Sequence, residues 1–189
     1  GGIFILFPFL DKFRIFNTET FNFRLSPDYL QTGHFDSYQN FVRVIEIEFI
    51  SYGIQLLGTL FFFIPRSFWS EKAIGSGSAL AIEMDYRFAG ISMPFIGEGY
   101  VNFGIIGSCL FMFFLGILLS NLDRIAWKLK NLNQDCLFLY YYYFLFGMVF
   151  FSMRGDLINS MAFLTGITAS FWVLVIILKL TTRFKYLKN

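Results

Sequence analysis

Three apolar runs, 101–120 (VNFGIIGSCLFMFFLGILLS), 136–153 and 157–178, contain no Asp, Glu, Lys or Arg. At about 1.5 Å of rise per residue, each is long enough as a helix to cross a hydrocarbon core of about 30 Å. A water-soluble domain has nowhere to hide three such runs. Hydrophobic residues make up 56% of the chain and charged ones 15%, against about 45–50% and 25% in soluble domains. The sequence therefore predicts an all-α, polytopic membrane protein. A net charge of +2 without a basic patch gives no argument for nucleic acid, and the expected partner is the lipid bilayer.

The segments between the runs set the expected topology. Residues 121–135 carry Arg124, Lys128 and Lys130, and 179–189 carry Lys179, Arg183, Lys185 and Lys188. The positive-inside bias assigns both to the cytoplasm. The 154–156 hairpin (Arg-Gly-Asp) then faces outward, as does the long stretch 11–100, an extracytoplasmic loop expected to be partly helical. Residues 1–10 (GGIFILFPFL) lack the basic start and cleavage site of a signal peptide. They read as the end of a transmembrane helix, so the chain is expected to be the C-terminal part of a longer plasma-membrane protein.

Within the long loop, Asp36 to Ser51 predicts an amphipathic helix with Val42, Ile45, Phe49 and Tyr52 on one face and Arg43 and Glu46 three apart on another. Its VRVIEIEF alternation also fits a strand; length favours helix. Ile54 to Ile64 is apolar but too short to span, so it is expected to lie in the interface or to dip in and return, ending at Pro65. The GSGS cluster at Gly75 to Ser78 reads as a hinge or a close-approach turn. Cys109 and Cys136 lack CxxC spacing and read as small hydrophobes.

Chemistry concentrates between Pro65 and Gly107. Arg66 and Arg87 are suited to a diphosphate, because a guanidinium stays charged and grips phosphate oxygens in pairs. The competing account pairs them with lipid headgroups or with Glu71 and Glu83. Arg154 either faces a substrate cavity or snorkels to the interface. Arg43 leans structural. Glu83, Asp85 and Glu98 are candidate bases toward a sugar hydroxyl, although a carboxylate such as Glu98 near a helix start is also stabilised there by the dipole and free amides. His34, the lone histidine, is a candidate base or simply solvated. No phosphate loop, zinc-spaced His/Cys set, HExxH, GxSxG or DxD-like pair is present, so a phosphate-leaving reaction would use arginines in place of a metal.

IPRSFW at Ile64 to Trp69 with the nearby Lys72, a small-residue turn, then GEGYVNFGIIG at Gly97 to Gly107 opening a spanning run, resembles the C-terminal signature of the Wzy-type oligosaccharide repeat unit polymerases, or O-antigen polymerases. The match extends from about His34 to Gly107, and Arg154 with Gly155 fits an outer Arg-Gly hairpin. Lys72 is followed by Ala73 where many relatives have Lys-Pro, which bears on the turn geometry. The resemblance implies a metal- and cofactor-independent glycosyltransferase. It would join polyprenyl-diphosphate-linked oligosaccharides into O-antigen, capsule or exopolysaccharide chains, alongside a chain-length regulator and a flippase. It also implies Arg66, Arg87 and Arg154 for the diphosphate, Glu98 or Glu83 for the acceptor hydroxyl, and Tyr100 with Asn102 for sugar contact or structural seating. A ligase-like enzyme using the same donor, and a non-catalytic subunit or transporter fragment, are the alternatives.

Overall fold

The computed structural model describes residues 36–131 and 137–186. The expected helix end at 1–10, the loop up to residue 35 with His34, residues 132–136 with Cys136, and residues 187–189 lie outside the described residues. From Ser37 onward the chain forms one unit. The elements are α1 (Asp36–Glu46), α2 (Ile54–Leu60), α3 (Ser76–Glu83), α4 (Phe95–Asn131), α5 (Leu137–Arg154) and α6 (Leu157–Tyr186), with no strand among the described residues. The fold is all-α. Helices α4, α5 and α6 each have the length and hydropathy of a membrane span.

Helix α1 resolves the helix-or-strand ambiguity as helix, but with a different buried face. Ser37, Asn40 and Val44 are buried with Phe41 partly so, a 3–4–7 spacing, whereas Val42 and Ile45 are 40% and 42% exposed and Tyr52 is 84% exposed. Polar links decide the face: Ser37 Oγ donates to the Arg154 carbonyl at 3.0 Å and Asn40 Nδ2 to the Ser92 carbonyl at 2.8 Å. The helix stops at Glu46, short of Ser51, because Glu48 adopts φ 51° and turns the chain. Arg43 and Glu46 form the expected ion pair at 2.9 Å, on an exposed face. Val44 joins Leu80, Ala81, Ile91, Met93, Tyr100 and Val101 in a small core.

The first spanning helix begins earlier and ends later than the apolar run 101–120. It is broken inside: Phe103 (φ −144°, ψ 22°) and Gly104 (φ 65°, ψ −154°) leave helical geometry. The break folds Phe95–Asn102 back against the turn that follows. Residues eight apart in a straight helix are separated by about 12 Å. Here a Cβ on Gly99 would lie 2.6 Å from the Gly107 carbonyl oxygen, and Ser108 Oγ donates to the Ile96 carbonyl at 2.9 Å. The small residues Gly99, Gly107 and Ser108 thus serve close packing between two halves of one helix.

Helices α4, α5 and α6 pack in sequence order. Tyr142 Oη donates to Asp123 Oδ1 at 2.6 Å, tying α5 to α4. Tyr141 stacks on Phe171 at 4.2 Å and shares a 2.7 Å hydrogen bond with Thr168, tying α5 to α6. Such polar and aromatic ties matter where lipid gives apolar helices no hydrophobic drive to associate. Removing the Tyr142 hydroxyl (Tyr142→Phe) is expected to destabilise the detergent-solubilised protein by about 0.5–1.5 kcal/mol, read as a lowered thermal midpoint in a dye-based melt. The most apolar stretches of α5 and α6 bury none of their residues, so their apolar surface needs lipid or further protein to cover it.

The basic stretch 121–135 continues α4 to Asn131, with Lys130 Nζ 5.0 Å from the Trp127 ring centroid. The tail beyond Leu178 likewise continues α6 to Tyr186. Of the two readings of Gly75 to Ser78, the close approach holds and the hinge does not: the stretch is the first turn of α3, with Gly75 at the N-cap position and Gly77 packed against the Ile91 backbone.

Candidate functional site

The start of α4, the end of α5 and the start of α6 meet at one end of the bundle, where two carboxyls are buried. Glu98, 2% exposed, sits on the folded-back turn of α4. Its Oε2 accepts from Ser76 Oγ at 2.6 Å and its Oε1 accepts from the Leu157 N–H at 2.8 Å. Asp156 is 7% exposed, and its Oδ1 accepts from the N–H groups of Gly77 at 3.0 Å and Met93 at 3.2 Å.

The two acids exchange helix starts. Asp156 directly precedes α6 yet satisfies a free amide in the first turn of α3, while Glu98 satisfies the first amide of α6. Initial helical N–H groups have no partner within their own helix, and the dipole favours negative charge there. The exchange clasps α3, the 91–93 connection, α4 and the α5–α6 hairpin. It also explains Gly77: a Cβ there would run into the Ile91 carbonyl oxygen.

Burial raises the Asp156 carboxyl above its ordinary pKa, and the amides of Gly77 and Met93 only partly offset this. The folded state then holds the proton more tightly than the unfolded one. This group's contribution to stability is therefore greatest below the unfolded value and falls as pH rises through the raised folded one. Asp156→Asn keeps an oxygen for both amides and is expected to stay within about 1 kcal/mol of the parent while flattening that pH dependence. Asp156→Ala leaves both amides unpaired and is expected to cost about 2–4 kcal/mol, measured as thermal melts across pH 4–8.

Beside Glu98, Asn102 is fully buried and structurally occupied: its Nδ2 donates to the Glu98 carbonyl at 2.8 Å and its Oδ1 accepts from the Leu56 N–H at 2.8 Å. Tyr100 is 7% exposed and meets Phe41 edge-on. The motif residues Glu98, Tyr100 and Asn102 are thus brought together, facing inward.

The cations are placed differently. Arg66 is exposed and donates one N–H to the Lys72 carbonyl at 3.0 Å. Glu83, the last residue of α3, and Asp85 and Arg87 just after it are exposed, and Arg87 forms no ion pair with either acid. Arg154 is exposed at the end of α5. Neither Arg66 nor Arg87 is bonded to Glu98.

Below the clasp, a cavity of about 1240 Å³ runs between α4, α5 and α6, walled by residues such as Phe95, Phe111, Leu164 and Trp172. Ser160 lines it at the clasp end; its hydroxyl is buried and has no hydrogen-bond partner among the described residues. Sequence reading did not single out Asp156, Ser76 or Ser160. An acid at the turn between two apolar runs was the available signal for Asp156, and the GSGS cluster, read only for its backbone, was the signal for Ser76; Ser160 carried none. Comparisons with family models, with curated proteins and with solved structures returned no match.

Proposed function

We propose that this chain is part of a membrane glycosyltransferase of the bacterial plasma membrane that polymerises polyprenyl-diphosphate-linked oligosaccharide repeat units at the extracytoplasmic surface. The observation that carries the reading is the seat of the GEGYVNFGIIG run. It folds into the clasped end of the bundle, with a long apolar cavity on the membrane side and exposed arginines on the segments around it. An amphiphile with an apolar chain and an anionic head matches that division.

In the reaction, the bond between the donor sugar's anomeric carbon and the diphosphate oxygen breaks. The acceptor hydroxyl oxygen bonds to that carbon, its proton passes to a base, and polyprenyl diphosphate leaves. Arg66, Arg87 and Arg154 supply fixed positive charge for the departing diphosphate. Glu83 and Asp85, both exposed, are the carboxylates available to an acceptor hydroxyl, and Glu83 is the one the family resemblance favours, whereas Glu98 positions the backbone of the site. Glu83→Gln is expected to leave the protein folded and to slow chain growth by about 10²–10⁴-fold.

The test is purified full-length protein incubated with lipid-linked repeat units, with products followed by mass spectrometry. Products of two or more repeats with release of polyprenyl diphosphate support polymerisation. Transfer only to a lipid-core acceptor supports the ligase reading, and no transfer to either supports a non-catalytic subunit.

A further inference from the structure

The segment from α2 to Trp69 exposes an unusual density of apolar side chains: Leu57 48%, Leu60 51%, Phe61 42%, Phe63 65% and Phe68 86%. Its position along the bundle is fixed. The Gly53 and Leu56 amides bond the carbonyl and side-chain oxygens of Asn102, immediately before the break in α4, and Leu56 lines the same cavity as Phe95 and Leu157. Helix α2 also packs on both α4 and α6. The exposed apolar face is therefore continuous with the apolar flanks of the spanning helices.

Irregular backbone at that depth must satisfy its polar groups internally. The segment after α2 does so with an ammonium. Lys72 Nζ donates to the Phe62 carbonyl at 2.9 Å and to the Ile64 carbonyl at 2.7 Å, while Arg66 covers the Lys72 carbonyl itself. The turns Phe61–Ile64 and Pro65–Trp69 close through their own backbone bonds. A cation aimed inward at carbonyls lets the phenyl rings of Phe63 and Phe68 stand outward on either side of the exposed 65–67 turn. Ser70 and Glu71, both exposed, mark the polar edge.

We propose that the segment Ile54–Trp69 is embedded in the adjoining lipid leaflet as an aromatic wedge, with Phe63 and Phe68 at acyl-chain level and Lys72 as the internal cap that permits it. This holds independently of the reaction the protein performs. The occupant is the bilayer, because the patch continues the spanning surface and the exposed cation within it, Arg66, is bonded to the Lys72 carbonyl beside Glu71 at the polar edge, where its long stem lets the charged head stay in water.

The test uses full-length protein in phosphatidylethanolamine/phosphatidylglycerol nanodiscs, with Cys109 and Cys136 replaced by serine. A single environment-sensitive fluorophore is placed on Phe63→Cys, Phe68→Cys or Glu71→Cys. Quenching by spin-labelled lipid is expected to exceed quenching by aqueous iodide by about twofold or more at Phe63 and Phe68, with the order reversed at Glu71. Lys72→Met is expected to move the Phe68 label toward iodide, because two carbonyls lose their donor and draw the tip to water. Iodide quenching at Phe68 equal to that at Glu71 would overturn the proposal, as would labels shielded from both quenchers, which would place the wedge under protein. An unchanged Phe68 label in Lys72→Met would overturn the capping role. If that variant does not fold, the Phe63 and Phe68 measurements in the parent still decide the wedge.

Discussion

Replacing Glu98 with alanine is expected to remove about 3–5 kcal/mol of stability and to shift the thermal midpoint down by on the order of 10 °C. The carboxyl is the shared acceptor for the Ser76 hydroxyl and the Leu157 amide, both buried. Truncation strands both donors at about 1–3 kcal/mol each and leaves a void beside them. Glu98→Gln behaves differently. Its amide oxygen can accept from Leu157 while its NH₂ donates to a rotated Ser76 hydroxyl, so the loss is expected to stay near 1 kcal/mol. The pair also separates two roles for this residue. A positioning Glu98 predicts that Gln retains chain growth where Ala does not, whereas a base at Glu98 predicts that Gln abolishes chain growth in a fully folded protein.

A change of similar size is expected at the break in α4. Gly104 adopts φ 65° and ψ −154°, a region essentially closed to residues with a Cβ. A side chain on Gly107 would run into the Gly99 carbonyl oxygen and lie 2.8 Å from Phe103 Cβ. Gly104→Ala is expected to cost about 1–3 kcal/mol of backbone strain, and Gly107→Val about 3 kcal/mol by forcing two backbone segments apart. Gly107→Val should also release the Ser108 to Ile96 bond and displace Glu98 from its partners. Combining Gly107→Val with Glu98→Ala should therefore cost less than the sum of the single changes, since both undo one clasp. Fluorescence-detected melts of the four proteins read this directly.

The spanning helices were legible because a charge-free run of that length has one physical solution. Their ends were not. The run 101–120 begins where charge disappears, yet helix begins at Phe95, since Pro94 and the glycines let a turn fold back before the break at Phe103 and Gly104. The buried face of α1 was misassigned because Val42 and Ile45 are the more apolar choice by pattern. Tertiary bonds from Ser37 and Asn40 instead turn Val44 inward. Glu98 stood out in the sequence by its setting, but its partners Ser76 and Leu157 lie 22 and 59 residues away, and no local pattern encodes such a pairing. Asn102 was legible as a seat without the partner that makes it one, the Leu56 amide.

The measurement that most directly tests the central claim is a surface-polysaccharide ladder. It would be run on cells carrying the full-length gene intact, deleted, or with Arg66→Ala and Arg87→Ala, at matched protein levels in the membrane. Both arginines are exposed, and Arg66→Ala gives up one surface hydrogen bond, to the Lys72 carbonyl, so the matched membrane levels separate loss of charge from loss of fold. The account predicts single repeat units on deletion and a ladder collapsed toward single units in the arginine variants. An unchanged ladder on deletion would contradict polymerase function, and a full-length ladder in both arginine variants would contradict the role assigned to them.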